Sequence, residues 1–202
     1  MGRRVSLGLL KTLGGMLLAG TQLLAAESQS CEAARAALQR ATTSYQQGRL
    51  AAATEQLREA IGLCPAEPRY EFMLANALYR SGDLKESAAH YTRFLGRRPG
   101  DLEGHMSLGF TLFELQDTNG ALEQWRAAVG VDPNSPFARA GLAVGLWGAG
   151  DMDAAAREYS RAIVLDSRYG RVEDLGIDIR WKPAVRAVLR DILRHIDSQG
   201  GN

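Results

Sequence analysis

The feature that most constrains this chain is self-similarity at a period of 34 residues. Shifted by that amount, Gly48, Gly82 and Gly150 fall in one column, with Gln116 in the remaining slot. Pro65, Pro99 and Pro133 form a second column, which Ser167 completes. Small residues make two more: Ala41, Ala75, Gly109 and Ala143, then Ala53, Ser87, Ala121 and Ala155. A fixed period of this length describes copies of one supersecondary unit. No copy can bury its apolar face alone, so the copies must stack and the ends must be sealed.

Within the unit the landmarks read as helix, turn, helix. Small residues let the two helices approach closely, and glycine can take the left-handed conformation that ends a helix. Asp83 with Glu86 forms a D-x-x-E helix start, and Ser135-Pro136 supplies an N-cap followed by proline at the first helical position. With Pro136 as position 1, Leu142-Ala143, Gly150, Ala155, Tyr159 and Ala162 stand where the tetratricopeptide repeat has its characteristic residues. The copy from Leu102 supplies Leu108-Gly109, Ala121, Trp125, Ala128 and Pro133. The copy from Pro68 supplies Leu74-Ala75, Gly82, Tyr91 and Pro99, with Phe94 at a position that favours alanine. The most degenerate copy, from Ala34, keeps Ala41, Gly48, Ala53, Ala60 and Pro65. None has tryptophan at position 4, where Ala37, Glu71, His105 and Arg139 sit. The pattern resembles the tetratricopeptide repeat from Ala34 to Ser167. That resemblance implies an all-α fold, a right-handed α-solenoid of about four helix–turn–helix repeats with a C-terminal capping helix. The repeats would occupy 34–67, 68–101, 102–135 and 136–167 within a region 27–167, with a linker and cap over 168–202. Such scaffolds host many partners, so the resemblance speaks to fold before function.

In the resembled family the first helices line a concave groove, with positions 2, 5, 9, 12 and 13 facing it. Position 12 is aromatic in every copy: Tyr45, Tyr79, Phe113 and Trp147. Carried over residue by residue, the groove also receives Phe72 and Met106 at position 5, Asn76, Phe110 and Val144 at position 9, and Phe137 at position 2. Large aromatic and methionine side chains suit a protein or peptide partner. The alternative is that the column packs between neighbouring helices. The family's clamp for acidic chaperone C-termini needs basic residues and asparagine where this chain has Leu38, Thr42, Met73, Met106 and Phe110, which disfavours that partner class.

The start of the chain adds a compartment. Arg3-Arg4, an apolar stretch, Lys11, an uncharged run from Thr12 to Ala26 and small residues at Ala25-Ala26 read as a secretory signal peptide over 1–26. The uncharged run is shorter than the roughly 20 residues that span a bilayer. Export to the periplasm is the expectation; an uncleaved anchor holding the chain at the inner membrane, facing the periplasm, is the alternative. Membrane contact would then come only through that N-terminal segment.

Loss of Arg3, Arg4 and Lys11 from the 24 basic residues leaves 21 against 23 acidic ones, a formal charge of −2. Nothing in that balance attracts a phosphate backbone, so nucleic acid is not an expected partner. Cys31 before the first helix and Cys64 at the end of the second lie at neighbouring ends of an antiparallel pair. An exported chain would join them as a disulfide; two unrelated thiols are the alternative.

After Ser167 the register dissolves. A bridge over Tyr169 to Ile179, with Trp181 as an anchor, should lead to a final helix from Lys182-Pro183 to about Asp197. Val185, Val188, Leu189, Ile192, Leu193 and Ile196 give that helix one apolar face, with Arg186, Arg190 and Arg194 on a solvated face opposite.

No catalytic constellation emerges. His90, His105 and His195 lie in separate elements with no Cys, Asp or Glu at ligand spacing, so no metal site is expected. Gly141, Gly145, Gly148 and Gly150 match no phosphate-loop spacing, and no cofactor is expected. Asp83, Asp117, Asp151 and Asp153 sit at turns, where helix capping accounts for them. The resulting expectation is a non-enzymatic scaffold or adaptor of the cell envelope. The alternative is a self-assembling subunit, a homo-oligomer whose groove takes a neighbouring copy's C-terminal helix.

Overall fold

A computed structural model describes residues 28–175 and 182–200. The expected signal segment and the Trp181 anchor fall outside these residues. Among the described residues there is no strand, and no helix is long and apolar enough to cross a membrane. The chain divides into two compact units, Met1–Tyr70 and Glu71–Asn202, with the boundary inside a helix.

In the first unit, helix α1 (28–46) turns at Gly48, whose φ of 73° is the left-handed conformation anticipated for it, into α2 (Leu50–Leu63). The core here is built mostly of small side chains: Ala34, Ala37, Ala41, Ala53 and Ala60 are at most 1% exposed, joined by Leu57, Cys64 and Tyr70. Helix α1 starts before the expected Ala34, so Cys31 lies inside it rather than ahead of it. Cys64 caps the end of α2, and the two cysteines form a disulfide with Cα atoms 4.8 Å apart.

The second unit begins within α3 (Pro68–Ser81) and continues through α4 (Leu84–Arg97), α5 (Leu102–Glu114), α6 (Thr118–Val131), α7 (Pro136–Gly148) and α8 (Met152–Leu165). Short 3-10 turns at Ser167–Gly170 and Val172–Leu175 precede α9 (Pro183–Gly200). Asp101, Asp117, Ser135 and Asp151 cap their helices through side-chain oxygens, as turn residues of these types should. Asp83 does not: its carboxylate accepts instead from the Ser81 hydroxyl at 2.7 Å, which corrects the D-x-x-E expectation. Asp153 is no cap either, and bonds to α9. Gln116 adopts the left-handed φ of 65° that its glycine counterparts take at Gly82 and Gly150.

The second helix of each pair sends its aromatic inward, so Tyr91, Trp125 and Tyr159 are at most 1% exposed. Trp125 sits where glycine replaces larger residues. A Cβ at Gly109 would lie 2.4 Å from its Nε1, and one at Gly145 would lie 2.9 Å from its Cε3. Phe94, in its alanine position, is accommodated the same way: a Cβ on Gly104 would fall 2.8 Å from its ring.

The polar residues at position 4 also acquire a reason. Each pairs with the residue 19 further on, in the second helix of its own repeat. Glu71 meets His90 at 2.5 Å, His105 meets Gln124 at 2.9 Å, and Arg139 meets Glu158 at 2.5 Å. A polar clasp takes the place of the tryptophan.

Candidate functional site

The face made by the first helices of the second unit holds most of the residues singled out by the repeat columns. Their positions differ in kind. Met106, Phe110 and Val144 were expected to face a groove, but they are at most 1% exposed and belong to the core. For Phe110 the cause is close ring packing, 5.3 Å from Trp125 of its own repeat and 5.7 Å from Phe137 of the next. A partner could not touch these three without rearranging the stack. Asn76 is only half-buried, yet its side-chain oxygen accepts from the Tyr91 hydroxyl at 2.6 Å and so serves the core. Phe72 packs its ring against Phe94 at 5.0 Å and Tyr91 at 5.7 Å.

Phe113, Phe137 and Trp147 keep part of their surface in solvent while resting on the core. Phe113 lies 6.0 Å from Trp125. Tyr45, in the first unit, is half-buried on α1.

The remaining position-12 residue, Tyr79, is 5% exposed, and the group that covers it comes from the end of the chain. Its hydroxyl donates to Glu114 Oε1 at 2.6 Å. The second carboxylate oxygen, Oε2, accepts from Lys182 Nζ at 2.6 Å, and that ammonium lies 4.2 Å from the centre of the Tyr79 ring. At the other end of α9, the His195 ring meets Trp147 edge-on at 5.8 Å. His195 and Gln199 both bond to Asp153, at 3.2 and 3.0 Å. The Gln199 amide, then His195, hold the Asp153 carboxyl below the usual carboxylate range. The C-terminal segment therefore engages two of the aromatic column's members.

The arginines of α9 keep to the expected solvated face, with 51% of the Arg190 side chain and 78% of the Arg194 side chain exposed, and they make local contacts from it. Arg186 donates to the Val172 carbonyl at 2.8 Å, Arg190 pairs with Glu173 at 3.1 Å, and Arg194 pairs with Asp191. The first two pin the 3-10 segment to the helix. His90 and His195, judged by sequence spacing to lack carboxylates, each gain one through folding. Among the described residues no group of three or more His, Cys, Asp or Glu could hold a metal. Burial pushes the ionisation of the Tyr159 hydroxyl up, and that hydroxyl has no hydrogen-bond partner in the core. That is a packing feature rather than chemistry.

Glu114, Lys182 and His195 were not among the candidate site residues. Glu114 occupies position 13, one of the groove-facing positions, so the column logic could have found it. Lys182 and His195 lie beyond the repeats, where no column exists.

Helix pairs stacked at a constant sequence interval define a helical-repeat protein. The tetratricopeptide repeat family profile matches residues 72–117 and 111–169, and the chain belongs to that family. Its fold class is the all-α solenoid of such repeats. Among solved structures, MamA residues 41 to the end from Desulfovibrio magneticus RS-1 superimposes with a TM-score of 0.65 at 15% identity, covering 84% of this chain and 97% of that one. A thermophilic tetratricopeptide protein of Thermus thermophilus gives 0.56 at 18% identity, covering 83% of each chain. The first repeat domain of Spaghetti (RPAP3) bound to the HSP90 peptide SRMEEVD gives 0.53 at 14%, covering 68% of this chain and 95% of that one. At these identities the likeness is one of fold. No curated protein matches the sequence.

Proposed function

We propose that this protein is a non-enzymatic scaffold of the cell envelope that holds a segment of a partner protein on the first-helix face of its repeats. One observation carries the reading. The aromatics of the second helices are consumed by the core, whereas Phe113, Phe137 and Trp147 on the first helices keep exposed surface. Partly exposed rings on a rigid helical support are the kind of anchor that dominates protein interfaces. A distant fold neighbour carrying a bound peptide supports the use of this architecture for segment binding.

Placement in the periplasm rests on the signal-like segment over 1–26 and on the Cys31–Cys64 disulfide, a bond favoured in oxidising compartments. Intact-mass analysis of envelope fractions tests it: a mass lacking residues 1–26 supports export with cleavage, and a full-length mass supports the anchored form.

The binding reading is tested with Phe113→Ala and Trp147→Ala, measuring melting temperature and retention of crosslinked envelope partners together. Truncating an anchor should cost about 2 kcal/mol of binding, roughly thirtyfold, with near-normal melting. Collapsed melting, with retention tracking the folded fraction, would assign both rings to packing.

The self-assembly reading keeps one observation in its favour. The C-terminal segment has the chemistry to meet Tyr79, Glu114 and Trp147, and a neighbouring copy could offer the same contacts. A concentration-dependent rise in mass by light scattering would support it; a constant monomer mass would not.

A further inference from the structure

The Tyr79–Glu114–Lys182 cluster joins two repeats to the far end of the chain, and its parts are unequal. Glu114 is largely removed from solvent, with 19% of its side chain exposed, against 33% for Lys182. Tyr79 fixes the carboxylate through Oε1 and presents its own ring face to the same space. Both receptor groups sit on regular helices, Tyr79 on α3 and Glu114 at the end of α5. The cation comes from a residue that lies outside any helix and immediately precedes Pro183, which favours an extended backbone at Lys182. A desolvated, oriented carboxylate beside an aromatic face strongly favours a cation, because leaving such a charge unpaired is costly.

We propose that Tyr79 and Glu114 form a recognition site for a lysine or arginine side chain of a partner segment, and that Lys182 occupies this site until the partner replaces it. The inference rests on the proposed binding of a protein segment to the first-helix face, and it specifies the chemistry of that segment: a basic residue entering between Tyr79 and Glu114, with apolar neighbours reaching Phe113. It is the opposite in charge to a clamp for acidic C-termini. Lys182 thus acts as an internal competitor that a partner must outmatch.

The test uses the full chain with carbon-13-labelled tyrosine rings and N-acetyl-lysine methylamide as the probe. Lys182→Gln vacates the site while leaving α9 its apolar face. The Tyr79 ring signals of this variant should shift saturably, at a probe concentration at least tenfold below that needed for the unaltered chain. Adding Glu114→Gln should abolish the shift, and the probe acetylated on Nζ should produce none. Circular dichroism melts of each variant confirm that comparisons are made between folded chains. Equal saturation in the unaltered and Lys182→Gln chains would overturn the proposal. So would a shift that survives Glu114→Gln or probe acetylation, or no saturable shift in folded Lys182→Gln. Failure here with Phe113- and Trp147-dependent partner retention intact removes only the cation site. Loss of that dependence with the lysine probe still binding removes only the wider binding reading.

Discussion

Reduction of the Cys31–Cys64 disulfide should open the first helix pair far more than its modest appearance suggests. The bond links residues 33 apart, and closing a loop of that size restricts the unfolded chain by about 4 kcal/mol at 25 °C on the chain-entropy account. The rest of this unit's core is largely alanine, at positions 34, 37, 41, 53 and 60, each offering a single methyl group to the interior, with Leu57 and Tyr70 as its large buried side chains. Gln56 subtracts from it, since its buried side-chain oxygen has no hydrogen-bond partner, at a cost of about 1–3 kcal/mol. A loss of 4 kcal/mol corresponds to about three orders of magnitude in the opening equilibrium. Amide hydrogen exchange resolved by mass spectrometry, with and without reductant, reads that equilibrium in α1 and α2 directly. Protection there should fall about a thousandfold on reduction, and the Cys31→Ala/Cys64→Ala double variant should behave like the reduced protein. A fall of less than tenfold in both would refute the assignment of the pair's stability to the crosslink.

Three further substitutions test the repeat columns. Gln116→Gly should stabilise the protein by about 1 kcal/mol, because it removes a left-handed non-glycine residue at φ 65°, and chemical denaturation will show it as a higher midpoint with unchanged slope. Gly145→Ala should destabilise by about 1–2 kcal/mol despite alanine's better helix propensity, since its Cβ would lie 2.9 Å from Trp125 and 3.2 Å from the Leu122 backbone; tryptophan fluorescence during denaturation follows it. Arg139→Ala should cost about 1 kcal/mol, since Glu158, whose side chain is 16% exposed, loses its largely buried partner and keeps only the exposed Arg161 at 2.7 Å, and the exchanged pair Arg139→Glu/Glu158→Arg should recover at least half of that in a thermal melt.

What the sequence made legible was whatever recurs. The 34-residue columns located the turns at Gly48, Gly82 and Gly150 and the inward aromatics of the second helices, because stacking imposes the same local geometry on each copy. Column reasoning was weaker where a neighbouring repeat decides the outcome. Phe110 occupies a groove-facing position by count, but the next first helix covers it with Phe137, and Met106 and Val144, at groove-facing positions too, are buried in the same core. Position gives a direction; only the neighbour's bulk gives exposure. Asp83 illustrates the same limit at short range, since Ser81 competes successfully for its carboxylate.

The position-4 column shows how an apparent departure from a family pattern can be a substitution of one physical solution for another. Read singly, Glu71, His105 and Arg139 share no charge, size or shape. Read with the residue 19 further on, they share a function, for His90, Gln124 and Glu158 each supply the matching group across the helix pair. The rule also accounts for the copy that breaks it. In the first repeat position 4 is Ala37, which has nothing to offer, and the residue 19 further on is Gln56, whose oxygen is left buried without a partner. The unit that lacks the clasp at position 4 carries the disulfide, beside a more exposed polar pair of the same spacing, Arg40 with Glu59 at 2.9 Å. A covalent link between Cys31 and Cys64 joins the same two helices that the polar pair joins elsewhere, and it does so without needing position 4 at all.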